Sequence, residues 1–157
     1  MKQTMTTKTI DINSIYHNMR EAISRRNSLQ SKQDELWRVI KRTHTNHSSE
    51  MKRIVEKIGA ETHRINGYIS SLCKYKKTHS AMKLANDYLS NEISRMTKII
   101  RSNEETIRLV RCGRSTLISD TGIQTTDPRK LQEYVNKKKS QLNKLKTWKE
   151  HVSKYQR

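Results

Sequence analysis

AMKLANDYLSNEISRMTKIIRSNEETIRLVR, residues 81–111, carries the most regular apolar pattern in the chain. One row at seven-residue spacing runs Met82, Leu89, Met96, Asn103, Val110, and a second runs Ile93, Ile100, Ile107. Two apolar rows at that period, set among Lys, Arg, Glu and Asn, describe a helix that buries a narrow stripe against another helix. β-branched Ile on one row, with Met and Leu on the other, suits a coiled coil or a multi-helix bundle. Asn103 either fixes the register of the seam at some cost in stability or sits at the edge of the stripe. Cys112-Gly113 ends this helix, and Arg108 and Arg111 stand in its last turn, where cations offset exposed carbonyls.

Towards the N-terminus the same logic holds with more interruptions. Residues 1–10 are polar and Thr-rich, and 1–12 reads as a disordered polar tail, with Asp11 near its end or Asn13 just beyond it able to cap a helix. A seven-residue row then runs Ile15, Ala22, Leu29, Leu36, with Met19 and Ile40 on its companion row. Arg26 and Gln33 interrupt that companion row, so this seam is leaky. Residues 43–50 are polar throughout, and the pattern resumes as Met51, Ile58, Ile65, Leu72 with Val55 and Ile69 beside it. The step across this stretch is not a heptad step, so a phase shift or a bend is expected there. Gly59 and Gly67 weaken the helix rather than end it, since neither comes with a proline. Residues 74–80 are a second weak point, either a solvated stretch of continuing helix or a hairpin turn. Unbroken, the region 13–112 would span roughly 150 Å, which describes a rod unless residues 74–80 fold it over.

Beyond the central helix, residues 113–127 hold two of the four glycines and the β-prone run Thr116-Leu117-Ile118, and the only proline, Pro128, closes the segment. Asp127-Pro128 starts a final helix over 128–157, because Asp caps well and Pro at the first helical position loses no hydrogen bond. That helix carries Leu131, Val135, Leu142, Leu145 and Val152, with Tyr134, Trp148 and Tyr155 alongside. The expected fold is therefore all-α: an elongated coiled coil or helical hairpin with a long first helical region, a loop near 113–127 and a basic C-terminal helix.

The totals agree with that class. In 157 residues the chain is 32% hydrophobic, and Leu, Ile, Val and Phe together make just under a fifth of it. A compact globule wants a richer core, whereas sparse apolar residues at helical spacing suit a structure that buries only stripes. The net charge of +18 points to an acidic polymer partner, whether nucleic acid, acidic protein tails or an anionic surface. The charge is uneven: +9 over residues 1–77, +1 over 78–127 and +8 over 128–157. The nearly neutral centre suits protein–protein packing, with itself or with other coiled-coil proteins, and the terminal arms carry the positive field.

Catalytic chemistry finds no support in the residue pattern. No Ser-His-Asp arrangement, phosphate-cradling glycine loop or pair of inward carboxylates stands out, so no enzyme and no cofactor is expected. His44 and His47 are close enough to share a metal, but no Cys or acid lies at ligand spacing to complete four ligands, so none is expected. Cys73 and Cys112 share no motif and read as reduced thiols. No apolar run approaches the ~20 residues of a membrane span, and the N-terminus lacks the apolar core of a signal peptide, so an intracellular protein is expected. Ser24 and Ser28 stand beside Arg25-Arg26 in the manner of kinase targets.

Two groups of residues carry the functional reading. Lys130, Lys137 and Lys144 recur every seven residues, joined by Lys138, Lys139, Lys146 and Lys149, as a surface for an acidic polymer. Tyr134, Trp148 and Tyr155 are interleaved with them, either as seam residues or as platforms on which bases stack. No zinc-finger, homeodomain or basic-zipper spacing is present, so sequence-specific DNA reading is not expected. The second group is Asp120, Thr121, Gly122, Ile123, Gln124, Thr125 and Thr126, a stretch suited to adding a strand to a partner's sheet edge. Asp120-Thr121-Gly122-Ile123-Gln124-Thr125 resembles the short motif bound by the homodimeric dynein light chain hub. That family's ligands centre on a Gln preceded by Thr or Ile and followed by Thr or Val. The resemblance implies Gln124 as the anchor, flanked by Ile123 and Thr125. It departs from the fuller form in having Thr125-Thr126 where Val-Asp would follow, with the acid displaced to Asp127, and it covers fewer than ten residues.

Together these features predict a non-enzymatic structural or adaptor protein of a cytoskeletal, microtubule- or cilium-associated assembly in the cytoplasm, recruiting a dynein light chain through its loop. The alternative is a nuclear or viral nucleic-acid-associated protein that grips the phosphate backbone with its basic arms.

Overall fold

The computed structural model describes residues 11–114, 117–118, 124–125 and 127–156. Among these residues lie four helices: α1 (Ile12–Thr43), α2 (Ser48–Leu72), α3 (Ser80–Arg111) and α4 (Arg129–Lys154). Two-residue strands, β1 (Leu117–Ile118) and β2 (Gln124–Thr125), stand between α3 and α4. The class is all-α. The chain divides into two compact units, one built from α1, α2, the first turns of α3 up to Ala85 and the segment from Val152, the other from Asn86–His151.

In the first unit, α1 begins where the Asp11 carboxylate accepts a hydrogen bond from the Asn13 amide at 3.0 Å, covering an otherwise unpaired donor of the first turn. It ends at His44, which adopts φ 54° and ψ 29° and donates its amide to the Ile40 carbonyl at 2.8 Å. A left-handed conformation costs a side-chain-bearing residue roughly 1–2 kcal/mol. His44 accepts it because the chain reverses here. The Asn46 side chain then accepts from the Ser48 amide at 3.0 Å and opens α2. A phase shift or a bend in one continuing helix is the expectation for residues 43–50, and the structure corrects it to a tight turn. The polar stretch offers no apolar side chain to hold a helix together; His44 caps the end of one helix, and Asn46, just ahead of the N-cap residue His47, holds the Ser48 amide at the start of the next.

Residues 73–79 break the helix a second time. His79 Nδ1 accepts from the Ala81 amide at 3.0 Å at the start of α3, while the His79 amide donates to the Tyr155 carbonyl at 3.2 Å. The region 13–112 is thus three helices and not one, and the longest described helices have 32 residues, about 48 Å rather than roughly 150 Å. α2 runs through Gly59 and Gly67 without interruption.

Burial in this unit is graded along α1 and α2. Ile15, Met19, Ala22, Ile65, Ile69 and Leu72 are buried, as are Ala81, Met82, Ala85 and Val152. Here α1 and α2 are joined by the first turns of α3 and by the chain end, with His79 Nε2 3.0 Å from Asn13 Oδ1. Farther along, towards the turn at 44–47, Leu36 is still buried, but Leu29, Ile40, Met51 and Ile58 are only half-buried and Val55 is 49% exposed. Arg26, which interrupts the apolar row, is buried at 3% exposure. The interruption stays inside the seam.

In the second unit Ile100 and Ile107 of α3 form an apolar cluster with Val135 and Leu142 of α4, and Ile93, Met96 and Leu131 pack against it. Asn103, on the same face of α3, is half-buried and donates to the Ile99 carbonyl at 2.9 Å within its own helix, so it sits at the edge of the stripe. α3 stops at Gly113, which takes φ +72°. The Arg114 amide reaches back to the Leu109 carbonyl at 2.9 Å and that of Gly113 to Val110 at 3.1 Å, the paired closure that glycine permits at a helix end. At the other side, the Asp127 carboxylate accepts from the Arg129 amide at 3.1 Å and opens α4. The segment 113–127 is expected to be a loop. β1 and β2 pair within it, antiparallel, with Leu117 opposite Thr125 and Ile118 opposite Gln124.

The gradient of burial has a measurable consequence. Ile65→Ala, at a position with no exposed surface, should lower stability by about 2–5 kcal/mol in urea denaturation. Val55→Ala, on the same helix and half-exposed, should stay within about 0.5 kcal/mol.

Candidate acidic-polymer interface

The lysines of α4 divide according to which side of the helix they occupy. Val135, Leu142 and Leu145 face the core, and Lys130, Lys137 and Lys144 lie together on another side, all three exposed. Seven residues of helix rise about 10 Å, so their ammonium groups form a stripe of evenly spaced positive charge. Long aliphatic stems let such lysines lie over neighbouring rings while their heads stay hydrated. Lys144 Nζ stands 5.2 Å from the centre of the Trp148 ring, and Lys138 Nζ stands 5.4 Å from that of Tyr134. Tyr134 is itself 43% exposed, so it is a surface ring between lysines and not a seam residue.

The other lysines of the expected set are placed differently. Lys139 Nζ is 2.8 Å from Glu104 of α3, an ion pair within the unit that offsets its charge. Lys149 is half-buried, and Lys146 is exposed on the side away from the Lys130–Lys144 stripe. Lys138 is half-buried, and desolvation by that burial holds its ammonium pKa below the ordinary lysine value. The nearby Arg95 guanidinium and Lys137 push in the same direction, and Glu92 opposes them.

Of the loop residues, Gln124 and Thr125 form β2, whose backbone is paired with β1 along one edge. Asp120, Thr121, Gly122, Ile123 and Thr126 lie outside the described residues. At the C-terminal margin of the loop, Asp127 is held by Arg129 through a side-chain contact at 2.7 Å as well as the backbone amide. Those bonds keep its carboxyl below the usual aspartate range.

His44 and His47 do not share a ligand geometry: His44 ends α1, while His47 Nε2 lies 2.7 Å from Thr45 Oγ1 and its Nδ1 3.4 Å from Glu50. Among the described residues no group of three or more His, Cys, Asp or Glu side chains could hold a metal ion. Cys73 and Cys112 are free thiols, the first half-buried with its pKa raised by burial.

One set of cations escapes a reading based on net charge. Arg25 and Lys32 of α1, and Lys57 and Arg64 of α2, line a single cleft within the first unit. Each pair is seven residues apart, which places its members on one helix face, and that spacing is visible in the sequence. The turn at 44–47 brings the two faces together. Compared with protein families, with curated proteins and with solved structures, the chain matches none of them.

The sign of the Lys138 effect can be tested. A lysine whose pKa is lowered in the folded state is penalised there while charged, so the chain gains stability as pH rises through the folded pKa towards the ordinary lysine value of about 10.4. Lys138→Met should therefore be at least as stable as the parent at pH 7. Its advantage should shrink with rising pH in urea denaturation, and a constant difference would contradict the placement.

Proposed function

We propose that the chain is a non-enzymatic helical adaptor that docks an acidic polymer on the lysine stripe of α4, as a structural component of a cytoskeletal, microtubule- or cilium-associated assembly. The observation that carries this reading is the exposure of Lys130, Lys137 and Lys144 along one side of a helix whose opposite side is buried. Point charges at about 10 Å intervals on flexible stems suit a flexible acidic chain, because each ammonium can follow a carboxylate without fixed geometry. Acidic protein tails on a filament have that character.

A second reading, nucleic-acid association, is favoured by one specific feature. Tyr134 is exposed, and both it and Trp148 have a lysine over the ring, the combination on which single-stranded bases stack beside neutralised phosphates. Cosedimentation with microtubules, with and without competing DNA at physiological salt, separates the two. The adaptor reading expects retention on microtubules in the presence of DNA, and loss of that retention in Lys130→Gln/Lys137→Gln/Lys144→Gln but not in Lys139→Gln. Preferential transfer to DNA would overturn it in favour of the second.

The light-chain motif adds a separate arm to the adaptor reading. β2 has one edge occupied by β1, so a partner would add to its other edge or displace β1. A peptide spanning Leu117–Arg129 should bind the purified dynein light chain, and Gln124→Ala should abolish that binding in a titration. Absence of binding by the parent peptide removes the light chain from the proposal and leaves the lysine stripe untouched.

A further inference from the structure

We propose that the cleft between α1 and α2 is a binding site for a phosphate group, formed by Arg25 and Lys32 on one helix and Lys57 and Arg64 on the other. It lies in the first unit, apart from the α4 stripe in sequence, and does not rest on the reading of that stripe. The cavity measures about 550 Å³, within the range of ligand-sized clefts. Small side chains give it depth: Ser24, Ser28 and Ala60 share its lining with Leu29. A second cavity of about 400 Å³ adjoins it and shares Leu29, Lys32 and Lys57, so these two lysines stand at the middle of a longer groove.

Glu61 is what makes the cations a site and not a scatter of surface charge. Its side chain is 5% exposed and lines the cleft. One oxygen accepts from Arg25 Nε at 2.9 Å, and the other is held by Arg64 Nη1. A single buried carboxylate thus fixes two guanidinium groups from different helices, and each spends one nitrogen on it while keeping further N–H donors. The guanidiniums are about half-exposed. Four positive charges line the cleft against Glu61, and Glu21 stands 3.9 Å from Arg25, so the balance at the cleft stays positive and favours an anion, while Glu35 and Glu50 belong to the adjoining cavity.

The geometry suits phosphate better than carboxylate. A phosphate has a tetrahedral set of acceptor oxygens and a charge near −2, and it can receive donors from both walls at once. Two guanidinium forks oriented by Glu61, two ammoniums, and the Ser24 and Ser28 hydroxyls one turn apart on α1 line the cleft and can supply such donors. A planar carboxylate would use only part of the set.

Isothermal titration of the full chain at physiological salt, with pyrophosphate as the probe, tests this. The expected result is saturable binding of one equivalent per chain, weakened at least about tenfold in Lys32→Gln/Lys57→Gln. The single variants should show intermediate losses. Both lysines are exposed, so the thermal midpoints should stay near that of the parent, which separates lost binding from lost folding. Lys137→Gln/Lys144→Gln should leave pyrophosphate binding intact. A short single-stranded oligonucleotide and inorganic phosphate form the remaining arms. Tighter, competitive binding of the oligonucleotide assigns the phosphate to a nucleic-acid backbone, and no gain over pyrophosphate assigns it to a small molecule. Absence of saturable binding, equal loss in the α4 variant, or equal binding of a poly-glutamate peptide at the same lysines would each overturn the proposal.

Discussion

The scarcity of aliphatic side chains constrains everything else in this fold. With Leu, Ile, Val and Phe making just under a fifth of the chain, no helix can be covered on more than one stripe. A stripe is stabilising only where another stripe lies against it, so the chain must turn often enough to bring its own helices together. The turn at His44–His47 and the break before Ser80 do this for the first unit, and α3 and α4 meet through Ile100, Ile107, Val135 and Leu142 in the second. Burial of these positions, at about 25 cal/mol per Å² of apolar surface, is the main favourable contribution available to a chain otherwise occupied by charge.

Much of this was legible in the residue pattern, and the failures have physical causes. Seven-residue rows identify a helix and its apolar face, because both depend only on local geometry. Gly113 marks a helix end for an equally local reason, and the structure gives it a left-handed backbone there; Asp127 holds the Arg129 amide, but the helix starts at Arg129, one residue after the expected Pro128. Spacing cannot say how many neighbours will cover a stripe at a given height. Ile65 and Val55 both belong to the α2 pattern, yet one has no exposed surface and the other is 49% exposed. Among the described residues, the first turns of α3 and the segment from Val152 join α1 and α2 at the end that holds Ile15 and Leu72. The polar stretch at 43–50 was readable as an interruption, but a turn and a bend make the same composition. The choice was made by His44 accepting a left-handed backbone.

The candidate site was legible to a similar degree. The heptad spacing of Lys130, Lys137 and Lys144 implies a common side, and the structure exposes all three there. The same count also included Lys139, whose charge Glu104 offsets, and Lys138, half-buried near Arg95. Those partners belong to another helix, and no spacing rule within α4 reveals them. The loop shows the converse. A β-prone run and a separate Gln-Thr pair were each visible, but their pairing across the intervening residues depends on the chain closing back on itself.

The two basic surfaces differ in kind, and that difference bears on what each can recognise. The α4 stripe consists of lysines, compact and strongly hydrated charges on flexible stems, which attract a polyanion while imposing little geometry. In the α1–α2 cleft the charges include guanidiniums whose orientation is set by Glu61, and orientation is what distinguishes one anion from another. Burying that carboxylate costs desolvation energy, which its contacts with both arginines offset. The cleft therefore gains directional donors from the same interaction that ties α1 to α2. A surface of the first kind supplies attraction that salt screens, and one of the second supplies selectivity among anions. As proposed sites, the lysine stripe and the cleft would complement each other for that reason.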